Sequence, residues 1–274
     1  MLRIGFSLHR DITEDTFAAI GAAGLSTVEI NGTGHDFDAS GLWARRHGVG
    51  LWSRHLPYAP FEERDISLSG KELRRKLAEY LEELIREGAG AGIRTFVLHP
   101  STPVTENLPR QERKRNAMEL LDRLAEAAHR EGAVIAVEDM ILSCLGNSAR
   151  ELEELISVND KLRVCFDVNH LFNDTHTAFV KRLGSRIVHT HISDYDFAEE
   201  RHWFPGEGGI NWPEVYAALK EAGYTGVWNY EVGLGGRKTE ERGRMLTYED
   251  VYNNAMEIFS GKQPHRILKE DKAL

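Results

Sequence analysis

Three short apolar runs in this chain each stop on a carboxylate: Val134 to Val137 on Glu138, Val164 to Phe166 on Asp167, and Val227 to Tyr230 on Glu231. A carboxylate at the end of an apolar strand costs several kcal/mol to bury unless its charge is neutralised. One shared cation neutralises all three. Similar runs lead to Glu29 and to the imidazoles of His55, His99, His170 and His191. Taken alone, His99 or His189 reads as a packing histidine; the set as a whole points to a metal. His189 and His191 stand two apart, a spacing that turns both to one face of a strand. His191 is nearer the end of its run and is the better fourth ligand, with His189 a layer deeper. Glu138, Asp167, His191 and Glu231 make a hard, oxygen-rich set, which suits Mn²⁺, Mg²⁺ or Co²⁺. A structural zinc site is more usually built from Cys and closed. The absence of Cys from this set points to an open, catalytic site.

Side chains so far apart in sequence converge only where strand ends converge. A phrase recurs along the chain, a helical stretch followed by Gly and a short β-branched run: AAGLSTVEI at 22–30, RHGVGLWSRHL at 46–56, GAGIRTFVLH at 90–99, REGAVIAVED at 130–139 and EAGYTGVWNYEV at 221–232. Each Gly can take the left-handed position that ends a helix. Adding 3–8, 162–168 and 186–193 gives eight strands. The main helical stretches between them are 13–22, 71–91, 109–131, 148–157, 175–183, 212–222 and 247–260. The stretch 71–91 places Leu73, Leu77, Leu81 and Leu84 on one side with the helical period, and its charges form a solvated face. Alternation of this kind implies parallel strands joined by right-handed crossovers, and eight units imply closure as a single (β/α)₈ TIM barrel. Polar strand ends then share one mouth.

An open doubly wound sheet is the competing architecture. It calls for a Gly-rich phosphate loop after the first strand, where this chain has Ser7-Leu8-His9-Arg10. Gly206-Glu207-Gly208-Gly209 and Gly233-Leu234-Gly235-Gly236 follow strands seven and eight, where barrels often cradle an anion; the alternative is that they are plain turns. At 274 residues, one domain spanning 1–274 is expected, with the barrel over about 3–260 and a tail at 261–274. The net charge of −9 and the lack of a basic stripe disfavour nucleic acid as a partner. No apolar stretch approaches a membrane span, and the N-terminal segment has no signal-peptide pattern, so a cytoplasmic protein is expected. Cys144 and Cys165 suggest neither a disulfide framework nor a zinc ribbon. Homo-oligomerisation is left open.

His35, His47, His129, His176 and His265 read as surface residues, and His9 follows strand one without a partner visible in sequence. Phe6, Trp52, Trp203, Phe204 and Trp228 are candidates for walling the site, or equally for core and lid.

These residues in this order resemble the xylose-isomerase-like barrel superfamily, which includes sugar epimerases, hydroxypyruvate isomerase, inosose dehydratase and endonuclease IV. The segments that carry the resemblance are His55-Leu56-Pro57-Tyr58, Leu98-His99-Pro100, Val137-Glu138-Asp139-Met140, Cys165 to His170, His189 to Asp194, His202 to Trp212, and Tyr230-Glu231-Val232. The resemblance extends from about residue 3 to residue 260. It implies that Glu138, Asp167, His191 and Glu231 match the single-metal set of ketose epimerases. Glu138 and Glu231 would then be the base and acid of a proton transfer through an enediolate, and His170 a substrate contact. Two departures from the ketohexose epimerases are His202 where they tend to carry Arg, and Ser143 and Cys144 near the place of a second Glu. His55, His99, His170 and His202, with Glu200, also look like the expanded zinc set of endonuclease IV, which makes them candidates for a second metal site with Zn²⁺; in sugar-active members such histidines bind substrate hydroxyls. The resemblance thus implies a metal-dependent isomerase or epimerase of a small sugar or hydroxy-ketone. The alternatives are a dehydratase of a keto-polyol and, more remotely, a phosphodiester hydrolase.

Overall fold

The computed structural model describes residues 2–9, 12–103, 107–236 and 238–269. Eight parallel strands, β1 (Arg3–Leu8), β2 (Thr27–Asn31), β3 (Gly50–His55), β4 (Thr95–Leu98), β5 (Val134–Glu138), β6 (Arg163–Asp167), β7 (Ile187–Ile192) and β8 (Val227–Tyr230), pair in chain order and close β8 onto β1. The chain forms the expected single (β/α)₈ TIM barrel. Around it run α1 (Glu14–Ala22), α2 (Phe37–His47), α3 (Phe61–Arg64), α4 (Lys71–Gly90), α5 (Arg110–Arg130), α6 (Ala149–Ile156), α7 (His176–Leu183), α8 (Trp212–Glu221), α9 (Thr239–Arg242) and α10 (Tyr248–Phe259).

Local chemistry sets the helix ends. The side chains of Thr13, Asp36, Ser148, Thr175, Asn211 and Thr247 each accept a backbone N–H of the first turn that follows, satisfying donors that a helix start leaves orphaned. At the other end of α2, Gly48 takes φ 69° and donates its N–H to Ala44 O, and Gly24, Gly92, Gly132 and Gly223 adopt the same left-handed region in the other recurring phrases. α2 is not among the helices expected from the sequence, because Ser40 and Gly41 interrupt its apolar period. Packing supplies what the period lacks: Phe37 and Ala44 are buried, and Trp43 lies 6.1 Å from Phe17 of α1.

The apolar core lies mainly between the strands and the helices. Among the described residues, Val97, Ala136 and Cys165 form a separate small apolar cluster, and Ser7, Glu29, Ser53, His189 and Asn229 are buried polar residues of the strands. Pairing places Ser7 beside Glu29 and Glu29 beside Ser53. Glu29 therefore sits within β2 and points inward, instead of following the strand end as expected. Gly5 makes this interior possible: a Cβ there would come within 2.7 Å of Asn229 Oδ1 and of Thr27 Oγ1.

Of the two readings of the aromatic residues, the packing favours core and surface over a wall of the site. Phe6 precedes inward Ser7 and packs edge-on against Tyr248, Trp228 packs with Trp212 and Phe259, and Phe204 packs with Tyr230. Trp52 lies beneath the Arg3 guanidinium, and Trp203 beneath the Lys238 ammonium. Among the histidines read as surface residues, His129 and His265 are exposed, whereas His35, His47 and His176 are half-buried. The Nε2 of His176 lies 2.8 Å from Val168 O, with the ring against Phe166 and Tyr195, which makes it a packing histidine. Among the described residues no helix is long and apolar enough to cross a membrane.

Candidate metal centre

Each expected ligand sits where its strand stops: Glu138 and Asp167 are the last residues of β5 and β6, His191 the last but one of β7, and Glu231 directly follows β8. One ligand atom from each of the four lies within 4.8 Å of the other three. His191 Nδ1 is 3.0 Å from Glu138 Oε1, 3.3 Å from Glu231 Oε2 and 3.9 Å from Asp167 Oδ2. The other ring nitrogen faces away from this cluster, 3.0 Å from Glu29 Oε1.

The donor set fits a divalent cation. Asp167 Oδ2 is buried without a hydrogen-bond partner, although its Oδ1 accepts the Asn169 N–H at 2.8 Å. Burial, helped by the charges of Glu231 and Glu138 and opposed by His170, pushes the Asp167 carboxyl up to about 7. Burial works in the same direction on Glu138, yet the imidazoles of His191 and His99 outweigh it and hold that carboxyl well below the usual range. Glu138 is thus satisfied by histidines, whereas for Asp167 the His170 imidazole 3.6 Å from Oδ2 does not outweigh burial, a shortfall that a cation would make good.

The remaining candidates divide into two groups. His55 and His99 each bring Nε2 to 3.2 Å from Glu138 Oε2. His170, Glu200 and His202 form a second metal-sized group: Glu200 Oε1 lies 3.5 Å from His170 Nε2 and 2.7 Å from His202 Nε2. Burial would lower the His202 imidazole, but its hydrogen bond with Glu200 and the charge of Glu231 carry it up to about 9. His202 holds a left-handed φ of 47°. The loop from β7 to α8 presents both Glu200 and His202, and it is tied down by Asp194. The Asp194 carboxylate accepts the N–H groups of Tyr195, Gly206 and Ile210 and the Trp212 indole N–H. Gly206 to Gly209 therefore cradle a carboxylate of this chain, and the anion site considered for that turn is already filled. At Gly208 a Cβ would lie 2.2 Å from Asp194 Oδ1.

Above the four ligands opens a cavity of about 180 Å³ whose polar wall comprises His55, His99, Glu138, His170, Glu200, His202 and Glu231. Tyr58, Phe61, Met140 and Ile141 add apolar surface to the lining. The Tyr58 ring stacks on His99 at 4.4 Å. These wall residues lie past strand ends; Tyr58 and Met140 fall in segments that carry the resemblance, whereas Phe61 and Ile141 are marked only by their position after β3 and β5. His9 lies at the mouth, with Nε2 4.0 Å from Glu231 Oε1. Cys165, absent from the sequence-derived ligand set, groups with His189 and His191 one layer below; burial keeps its thiol well above its usual range. His189 is fully buried beside Glu29, as its spacing from His191 implies.

A family model described as xylose isomerase-like TIM barrel matches residues 17–248. In sequence the chain is similar to the uncharacterized protein MJ1311 of Methanocaldococcus jannaschii, at 29% identity over 189 residues that make up 64% of this chain and 62% of that protein. The chain spans about three fifths of the length of the curated relatives it matches. Among solved structures, a D-tagatose 3-epimerase-like protein superposes with a TM-score of 0.80 at 21% identity, covering 94% of this chain and 97% of that one. The apo form of 3-keto-D-glucoside 4-epimerase, YcjR, from E. coli superposes with a TM-score of 0.76 at 17% identity, covering 95% and 100%. At these identities the likeness to solved structures is one of fold.

Proposed function

The chain belongs to the xylose isomerase-like TIM barrel family, and from that premise we propose that it is a divalent-metal-dependent isomerase or epimerase of a small sugar or hydroxy-ketone. The observation that carries the reading is the convergence of Glu138, Asp167, His191 and Glu231, of which Glu138 and Glu231 line a cavity walled by polar and apolar side chains. The epimerases that share the fold act, by their names, on sugars. A divalent cation held by these four residues supplies Lewis acidity to a carbonyl and an adjacent hydroxyl.

The protein's own groups supply the proton chemistry. Glu138 is held ionised by His191, His99 and His55, so it is equipped to take a proton from the carbon beside a carbonyl, as a positioned carboxylate does. Glu231 reaches the floor from β8, three strands away round the barrel, and serves as the second acid-base group. His170 and His202 face the cavity where substrate hydroxyls would lie, and Tyr58 and Phe61 shield it from water. Mixing the metal-loaded protein with a panel of ketoses, inososes and hydroxy-acids in D₂O tests the reading by NMR. Exchange of a C–H beside the carbonyl, lost in Asp167→Asn, is the expected result; no exchange in any compound by a metal-replete protein overturns it. Elimination of a β-hydroxyl from the same compounds would instead mark the dehydratase. The grouping of His170, Glu200 and His202, with His55 and His99 on Glu138, keeps a second reading alive, in which further cations bind there and the reaction is phosphodiester hydrolysis.

A further inference from the structure

We propose that Glu29 is the positioning residue of the metal centre, fixing the His191 ring so that Nδ1, and not Nε2, is the nitrogen offered to the cation. The inference rests on reading Glu138, Asp167, His191 and Glu231 as a cation site, and adds how one ligand is held.

Glu29 is fully shielded in the middle of β2, and both oxygens of its carboxylate are engaged. Oε1 accepts Ser7 Oγ at 2.8 Å and faces His191 Nε2 at 3.0 Å. Oε2 accepts Ser53 Oγ at 2.9 Å and faces His189 Nε2 at 3.0 Å. Ser7 Oγ in turn accepts the Asn229 amide at 2.8 Å. An ionised carboxylate is a pure acceptor and an imidazole nitrogen facing it is a donor, so this arrangement protonates His191 at Nε2. Nδ1 faces Glu138 Oε1 at 3.0 Å and donates to it in the metal-free fold; a cation held among Glu138, Glu231 and Asp167, 3.0 to 3.9 Å from Nδ1, would take the place of that second proton and leave the lone pair on Nδ1. Turning the ring over would set a carbon against Glu29 and forfeit that hydrogen bond.

Bland filling does not explain the arrangement. Barrel interiors are ordinarily packed with branched aliphatic side chains in layers, and a buried carboxylate is costly beside such a filling. Here the layer beneath the metal centre includes Ser7, Glu29, Ser53 and His189, and its hydrogen bonds converge on the Glu29 carboxylate, which faces the His191 ring. Carboxylate partners of metal-bound histidines set the tautomer and raise ligand basicity, and losing one weakens metal binding about 10- to 100-fold.

The test uses the full-length protein and Zn²⁺, a diamagnetic probe. Dissociation constants come from chelator competition for wild type, Glu29→Gln and Asp167→Asn, and ring tautomers from long-range ¹H–¹⁵N spectra of the histidines. The expectation is that wild type binds, Asp167→Asn does not, and Glu29→Gln binds about 10- to 100-fold more weakly. In the wild-type zinc complex His191 is protonated at Nε2. Glu29→Asp, which keeps the charge with a shorter reach, recovers part of the affinity. Equal affinity of wild type and Glu29→Gln, or zinc on His191 Nε2, overturns the role of Glu29 and leaves the four-ligand reading standing. A folded wild type that binds no zinc overturns that reading, and this inference with it. The wild-type tautomer needs no variant, so the inference is decided even if Glu29→Gln does not fold.

Discussion

Glu138 and Glu231 have unlike surroundings, and this assigns them unequal work. Glu138 is almost wholly buried and lies within 4 Å of the imidazoles of His55, His99, His170 and His191, whereas Glu231 is 13% exposed and meets His191, His202 and, at the mouth, His9. Replacing either by Gln keeps its size and a metal-facing oxygen while removing the base, so turnover by a metal-replete variant is expected to fall about 10²- to 10⁴-fold, as steady-state kinetics on an exchanging substrate would show. In an epimerase one of the two variants still washes solvent deuterium into substrate without forming product. Near wild-type turnover in both would remove them from the chemistry. A second expectation concerns Asp167. With its carboxyl raised to about 7 in the metal-free fold, the folded chain holds a proton that the unfolded chain has already lost between the ordinary carboxylate range and that pH. This group's contribution to metal-free stability therefore falls as pH rises through that window. Cation binding expels the proton, so calorimetry in buffers of different ionisation enthalpy should count about one more proton released at pH 6 than at pH 8; equal counts would contradict it. The grouping of Glu138, Asp167, His191 and Glu231 was legible because each stands at or next to the end of a strand. The partnership of Glu29 was not: its inward direction follows from the period of two in β2, but its neighbours Ser7 and Ser53 are set by strand register.

The loop from β7 to α8 depends on one carboxylate. Asp194→Asn removes the charge that gathers the N–H groups of Gly206 and Ile210 and the Trp212 indole, and it is expected to cost about 1–3 kcal/mol in urea unfolding, the range for unsatisfied buried donors. Proteolysis within 196–206 should accelerate. Gly208→Ala, whose new Cβ would meet Asp194 Oδ1 and Tyr195 O, should act in the same direction. Unchanged stability in both would show that the loop is held otherwise. Most elements were readable because Gly at helix ends and β-branched runs repeat together. Helix α2 escaped because burial of Phe37 and packing of Trp43 on Phe17 stabilise it, and those are long-range facts. The Gly-rich turn after β7 was ambiguous for a related reason. Its glycines make room for Asp194, a partner that lies a dozen residues earlier in the chain.

At the scale of the whole molecule, a net charge of −9 opposes the counterion release that gives proteins their affinity for DNA. Zinc-loaded protein at low salt is therefore expected to leave a plasmid carrying abasic sites intact. Efficient nicking that disappears in His99→Ala would favour the phosphodiester reading. The barrel class was legible from eight alternating units, and the direction of each strand end toward one mouth followed from it. The closed barrel also couples the mouth to the rest of the molecule, since every strand that carries a ligand is hydrogen-bonded to its neighbours all the way round. The buried Asp167 carboxyl, raised to about 7, then bears on the stability of the entire fold. Melting temperature becomes a gauge of occupancy: above the dissociation constant, each tenfold rise in free cation adds about 1.4 kcal/mol to the unfolding free energy, a few degrees for a chain of this size. The slope of melting temperature against the logarithm of cation concentration reports binding with no substrate known, so the ions of a cell could be ranked for this protein by heat alone.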